Sequence, residues 1–341
     1  MSDKKTVAEA LREALREEMA RDERVFCIGE DIGIRGGWGG AFTVTLGLEA
    51  DFGARVVDTP ISEAGICGVA LGAAVVGMRP VADVQYADFL YCAMDQVVNQ
   101  IAKMRYMSGG KVKVPLVLRA PVGATGRGAQ HGQNPEALFL NVPGWKIVCP
   151  ATAYDAKGLL KAAIRDDNPV LMFEHKLLYG AKGARWEPGA IDASSEIPEG
   201  DYTVPIGKGV VRREGTDVTL IGTLVMMHRA MQAAEKLAEE GISAEVIDPR
   251  SLAPFDWELV EASVKKTGRA VVVTEGPRTG SVASEIAATI GERCMDYLTA
   301  PVARVTSPDI PVPFAPPMED FYRPDAARVC AAARKVMGLG D

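Results

Sequence analysis

The sequence predicts an α/β protein of two successive units, each a parallel sheet with helices on both faces. Three observations carry this expectation. Short apolar runs of strand length recur along the chain, and stretches of helical periodicity separate them. A parallel crossover needs a helix to bring the chain back, so that alternation implies parallel strands under covering helices. A polar stretch with prolines and glycines then divides the pattern.

The elements follow in order. Thr6, with Glu9 three residues on, forms a capping box, and Val7, Leu11, Ala14, Leu15 and Met19 continue at helical spacing. Strands are expected at Val25 to Ile28, Val81 to Tyr86, Val114 to Leu118, Lys146 to Cys149 and Val170 to Phe173. Helices are expected at Met94 to Met107 and at Ala153 to Ile164, the latter with Thr152 and Asp155 as a capping pair. From Gly183 to Pro205 periodicity stops, which predicts a linker over 183–205 between domains at 1–182 and 206–341. The second domain has strand patterns at Val218 to Ile221, Ala244 to Ile247, Ala270 to Thr274 and Val302 to Val305. Its helical patterns are Met226 to Glu240, Trp257 to Lys266, Val282 to Arg293 and Asp325 to Val336.

Composition removes several function classes. With 48% hydrophobic and 24% charged residues in 341, the chain can bury the cores of about two domains. Asp and Glu outnumber Lys and Arg by 45 to 38, which argues against a nucleic-acid surface and toward a small-molecule or protein partner. Met1 to Arg24 is charged and amphipathic with no apolar signal segment, so a cytoplasmic location is expected. The apolar stretch Ala64 to Met78 is interrupted by glycines and is shorter than the ~20 residues of a membrane span, so it reads as a close-packed buried helix. The six cysteines form no CxxC pair and lie outside ligand spacing of any histidine, so reduced core thiols are expected rather than disulfides or zinc.

Three local constellations could carry chemistry. In Asp58-Thr59-Pro60-Ile61-Ser62-Glu63-Ala64-Gly65 a strand runs into the glycine-rich helix, and an acid at the carboxyl end of a strand lies where open α/β sheets bind ligands. The alternative is that Ser62 only caps the helix and Glu63 complements its dipole. The loop from Gly123 to Pro135 carries His131, one of three histidines, on a backbone whose glycines permit close approach to a ligand; the alternative is a surface loop with an incidental histidine. Phe89, just past a strand, has a planar face that could stack on a heterocycle or pack in the core. A strict GxGxxG after a strand, GxxxxGK[ST], HExxH and GxSxG are all missing, which weakens simple nucleotide, zinc-protease and serine-hydrolase readings.

Taken in order, these segments resemble the β subunits of the heterotetrameric, thiamin-diphosphate-dependent 2-oxoacid dehydrogenases that act on pyruvate, branched-chain 2-oxoacids or acetoin. The matching motifs run from about Thr6 to Val336. They are Gly29-Glu30-Asp31, Thr59 to Glu63, Asp95-Gln96, Arg105 to Gly110, His131, Pro143-Gly144, Tyr154 to Leu160, Glu174-His175-Lys176 and Asp248 to Leu252. The resemblance implies a thiamin-pyrimidine-binding domain followed by a transketolase-type C-terminal domain. It also implies roles for particular residues. Glu63 would hydrogen-bond the aminopyrimidine of thiamin diphosphate and promote its imino tautomer, Phe89 would pack on that ring and Ile61 would line it. His131 would assist proton transfer and orient a lipoyl group. Gly132 stands where relatives usually carry serine, which alters the local hydrogen bonding expected around His131.

The same resemblance implies a potassium site near Ala163, Asp166 and Asn168. The relatives hold the diphosphate and its magnesium through a Gly-Asp-Gly motif on the α subunit, and this chain has none. An α2β2 heterotetramer docked to a dihydrolipoyl acyltransferase core is therefore implied, with pyruvate as the favoured substrate and branched-chain 2-oxoacids or acetoin as alternatives. A single-chain transketolase or deoxyxylulose-phosphate synthase fails on length and on the missing motif, and a non-catalytic assembly protein is disfavoured by Glu63, Phe89 and His131 occurring together.

Overall fold

A computed structural model describes residues 4–34, 36–180 and 189–340, so residues 183–188 of the expected linker lie outside the described residues. The chain groups into two compact units, Met1–Val122 with Leu138–Ile206, and Gly123–Ala137 with Gly207–Asp341.

The first unit begins with α1 (Val7–Arg21), closed by the expected capping box: Thr6 accepts from the Glu9 backbone, and the Glu9 side chain accepts from the Thr6 N–H at 2.8 Å. Its strands are β1 (Val25–Gly29), β2 (Val56–Asp58), β3 (Arg79–Asp83), β4 (Val117–Val122), β5 (Lys146–Val148) and β6 (Val170–His175). They are parallel, in the order β5-β6-β4-β3-β1-β2. β1, β4 and β6 are buried at every position, as expected for strands covered on both faces. Between them run α2 (Leu48–Phe52), α3 (Glu63–Val75), α4 (Ala102–Met107) and α6 (Ala153–Arg165), while the short α5 (Glu136–Leu140) straddles the boundary of the two groupings. The stretch expected as one helix from Met94 is a π-helical segment, Asp95–Ile101, continued by α4. The helix from Ala64 is less covered than expected, with Val69 57% and Val76 80% exposed. α6 packs on α1, and the stems of Lys157 and Lys161 are buried while their ammonium groups reach Glu13, Glu17 and Asp201.

The second unit has β7 (Val210–Arg213), β8 (Val218–Gly222), β9 (Ala244–Asp248), a short β10 (Ser251–Ala253), β11 (Ala270–Pro277) and β12 (Ala303–Ser307). Its sheet runs β12-β11-β8-β9-β7, parallel except for β7, which is antiparallel to β9. Helices α7 (Val225–Glu239), α8 (Trp257–Thr267), α9 (Val282–Cys294), α10 (Pro316–Tyr322) and α11 (Ala326–Val336) complete it. The loop Gly123–Ala137, which the sequence places inside the first domain, groups with this second unit. Two carboxylates anchor it: Ala124 N–H donates to Glu275 at 2.8 Å and Gly126 N–H to Glu319 at 2.6 Å. Arg323 donates in return to the Ala124 carbonyl at 2.9 Å.

Five of the six cysteines are buried, whereas Cys92 is exposed and departs from the expectation of core thiols. Burial pushes the Cys27 and Cys67 thiols up to about 12, so neither is a thiolate at neutral pH.

Candidate active site

In the first unit β2 lies on one side of β1 and β3 on the other, so the chain crosses β1 between them. Such a reversal of strand order opens a crevice at the carboxyl ends of the strands, and ligands of open α/β sheets bind there. Glu30 follows β1, Asp58 ends β2 and Asp83 ends β3. Gly29 is required at this crevice, because a Cβ on it would come within 2.8 Å of the Asp83 carbonyl oxygen.

Glu63 opens α3 at the same end of the sheet. Ser62 is the N-cap, its hydroxyl accepting from Gly65 N–H at 3.3 Å, so Glu63 stands in the first turn with its half-buried side chain near the amide end of the helix. The capping and dipole roles weighed for these residues are thus present, and they also place a carboxylate at the crevice. Glu30, which sequence reasoning noted only within a motif, faces the same cluster. Burial first, and then the negative charges of Glu63, Asp31, Asp83 and Asp58, push its carboxyl above the ordinary range. Its Oε2 is buried with no hydrogen-bond partner among the described residues, and so is the hydroxyl oxygen of Thr59.

Phe89 lies in a 3-10 segment, Ala87–Ala93, that packs against α3. Its ring is half-buried, and its N–H donates to the Tyr86 carbonyl at 2.9 Å. Ile61, one residue before the cap, is 80% exposed. Glu63, Ile61 and Phe89 therefore belong to neighbouring segments of one unit. His131 is in the second unit, half-buried on its glycine-rich loop, with its N–H donating to the Gly128 carbonyl at 3.3 Å. Gly132 is buried against Val312, which explains the small residue there: an added Cβ would meet Val312 Cγ1 at 3.0 Å.

Ala163, Asp166 and Asn168 lie elsewhere, in the last turn of α6 and the link from it into β6, at the amino-terminal edge of the sheet. Lys146 bonds the Asp166 carboxylate, Arg79 donates to the Ile164 and Asp166 carbonyls at 2.9 and 3.0 Å, and Arg105 donates to Asn168 Oδ1 at 2.7 Å. Three side-chain cations thus bond oxygens of Ile164, Asp166 and Asn168, while the Ala163 carbonyl accepts from the Asp166 N–H at 3.2 Å. Among the described residues, no group of three or more His, Cys, Asp or Glu could hold a metal ion, and no helix is long and apolar enough to cross a membrane.

The architecture and crevice define a transketolase-type two-domain protein. The family described as "Transketolase, pyrimidine binding domain" matches residues 3–182 and "Transketolase, C-terminal domain" matches 207–329. A solved split-gene transketolase, described as an inactive β4 tetramer, superimposes with a TM-score of 0.75 at 25% identity, covering 98% of this chain and 99% of its own. The β subunit of an acetoin:2,6-dichlorophenolindophenol oxidoreductase from Cupriavidus necator is 46% identical, with 100% of this chain and 99% of that one covered. From Bacillus subtilis, the 2-oxoisovalerate dehydrogenase β subunit is 47% identical (96% and 97% covered) and the pyruvate dehydrogenase E1 β subunit 42% identical (97% and 98% covered). The chain belongs to the β subunits of the thiamin-diphosphate-dependent 2-oxoacid dehydrogenase family, which includes the pyruvate, branched-chain 2-oxoacid and acetoin enzymes. The crevice fits that cofactor's aminopyrimidine end: the two orphaned buried oxygens of Glu30 and Thr59 can accept from N–H donors, and Phe89 offers a neighbouring planar face.

Proposed function

We propose that this chain is the β subunit of an oxidative 2-oxoacid decarboxylase that passes an acyl group to the lipoyl group of an acyltransferase core, with pyruvate as its favoured substrate. The observation that carries the reading is the pair of carboxyls Glu63 and Glu30 at the strand-order reversal, one in a helix's first turn and the other driven toward its neutral form. Thiamin diphosphate, when bound, supplies the electron sink that lets carbon dioxide leave. Glu63 and Glu30 bind and orient its ring nitrogens and hold the proton exchanged there, and Phe89 and Ile61 keep water from that ring. His131, on the loop of the second unit, serves proton transfer at the acyl-transfer step and orients the lipoyl arm.

The diphosphate and magnesium belong to an α partner in an α2β2 assembly, which is consistent with the missing Gly-Asp-Gly. An exposed apolar stripe on α3 and its C-cap supports such a partner: Val69 and the capping Val76 alternate with Gly65 and Gly72, and a partner helix can approach glycines closely. A cytoplasmic location accompanies this reading. For the turn at Ala163, Asp166 and Asn168, we propose that Lys146, Arg79 and Arg105 fill the role a potassium ion would take, so that unfolding temperature is equal in matched potassium and sodium chloride.

The test is thiamin-diphosphate-dependent dye reduction by the chain co-purified with its α partner, compared across pyruvate, branched-chain 2-oxoacids and acetoin. Pyruvate is expected to give the highest kcat/KM. Acetoin is the second reading, favoured by the end-to-end match to the acetoin relative. No reduction with any of them from a cofactor-loaded complex would overturn the proposal.

A further inference from the structure

Away from the crevice, the second unit has a cavity of about 540 Å³ where β12, α11 and the turn after β11 meet. Arg278, Arg304 and Arg328 line it, with Asp309, Phe321 and Ala332. Each guanidinium is held by one neutral acceptor. Arg278 donates to the Arg304 carbonyl at 3.2 Å, Arg304 to the Ser284 hydroxyl at 2.6 Å, and Arg328 to the Phe321 carbonyl. Among the described residues, none of the three forms an ion pair with a carboxylate. Asp309, the one carboxylate of the lining, accepts from Thr279 N–H at 2.9 Å and from its hydroxyl at 2.7 Å, and the charge of Arg278 acts on it as well, so one carboxylate stands against three guanidiniums. A chain of net charge -7 therefore carries a locally positive cavity whose donors remain open to an anion.

The donor set discriminates between anions. A carboxylate is satisfied by a single guanidinium fork, whereas a cavity lined by three guanidiniums suits a dianion with three terminal oxygens. The wall also suits an organic group. Arg328 stacks on Phe321 with its guanidinium carbon 5.0 Å from the ring centroid, which steadies that guanidinium, and Phe321 remains 63% exposed. The volume exceeds what a bare phosphate needs.

We propose that this cavity binds a phosphate monoester, its phosphate held by Arg278, Arg304 and Arg328 and its organic body laid against Phe321 and Ala332. The proposal does not depend on which 2-oxoacid the crevice serves.

The test is calorimetric titration of the chain with its α partner, saturated with thiamin diphosphate so that the cofactor's own anion site is filled. The probes are inorganic phosphate, phenyl phosphate and benzoate at fixed ionic strength. Phenyl phosphate is expected to bind more tightly than inorganic phosphate, and benzoate to bind weakest. The exposed single variant R278A should weaken phosphate binding about tenfold, as loss of one charge-assisted hydrogen-bonding group does, and R278A/R328A should weaken it further. F321A should remove the advantage of the phenyl group while keeping phosphate affinity, a pattern that a misfolded variant would not give. Equal phosphate affinity in wild type and R278A would overturn the proposal. Benzoate binding as tightly as phenyl phosphate would also overturn it, and would point to an acidic protein segment as the occupant.

Discussion

The guanidinium of Arg119 grips Glu174 with two parallel hydrogen bonds of 2.7 Å, between strands β4 and β6 in the middle of the first sheet. Its remaining arm reaches Asp83 at 2.9 Å, and Tyr179 donates to the same Glu174 at 2.5 Å. All four side chains are buried, so every charge depends on its partner, and burial alone would push Asp83 toward its neutral form. Asp83 is also one of the charges that act on Glu30, after those of Glu63 and Asp31, so this network adjoins the crevice. R119M should cost about 3–5 kcal/mol in chemical denaturation, since it strands two buried carboxylates. R119M/E174M should cost clearly less than the sum of the single changes, and strict additivity in that cycle would refute the coupling.

Glu63 gives a sharper separation of activity from folding. It is half-buried at the start of α3, and among the described residues the cap is made by Ser62 rather than by its side chain. E63Q keeps shape and removes the exchangeable proton, so dye reduction should fall by about 10²–10⁴-fold while the α/β complex elutes unchanged. Substantial remaining turnover would remove the proton role from this residue.

Ser62 tests whether the cap positions that carboxylate. S62A should lower stability by about 1 kcal/mol, because Gly65 N–H loses its acceptor. If capping also aims Glu63, kcat should drop with KM nearly unchanged, and S62T should restore both stability and rate. A drop in stability with an unaltered rate would confine Ser62 to the fold.

The sequence made the periodic elements legible. α1 and α6 begin at the capping residues it shows, and α8, α9 and α11 fall on the expected helical stretches, because a cap and an apolar stripe are local signals. Glu63 and Phe89 could be singled out for the same reason. Val210–Arg213 was not legible: every position of that edge strand is half-buried, so it lacks the alternation that marks a strand. Nor was the allegiance of the His131 loop, which rests on Glu275 and Glu319, 151 and 193 residues away from the amides they bond. Polar contacts across such separations leave no periodic trace. Glu30 had a weak signal, an acid directly after a buried strand, but its importance depends on Asp58 and Asp83 ending the strands on either side. Arg119 had one too, since a charge within Val117–Val122 requires a buried partner, and Glu174 in Val170–His175 supplies it.

Glu136 gives the chain a measurable pH dependence. It is buried beside the His131 loop, where Asn134 donates to it at 3.0 Å, and burial, helped by the charge of Glu275, pushes its carboxyl up to about 7. Between the ordinary glutamate range and about 7, the folded chain holds a proton that the unfolded chain releases. Stability from this group is therefore full at low pH and is lost as pH rises through 7. The loss is roughly 3 kcal/mol at most, because holding a proton through each further pH unit is equivalent to about 1.4 kcal/mol. E136Q keeps an oxygen for Asn134 and cannot ionise, so it should unfold near the wild-type temperature at pH 5 and above it at pH 8. If the difference between the two proteins is the same at both pH values, Glu136 is ionised in the folded chain throughout and its proton contributes nothing to stability.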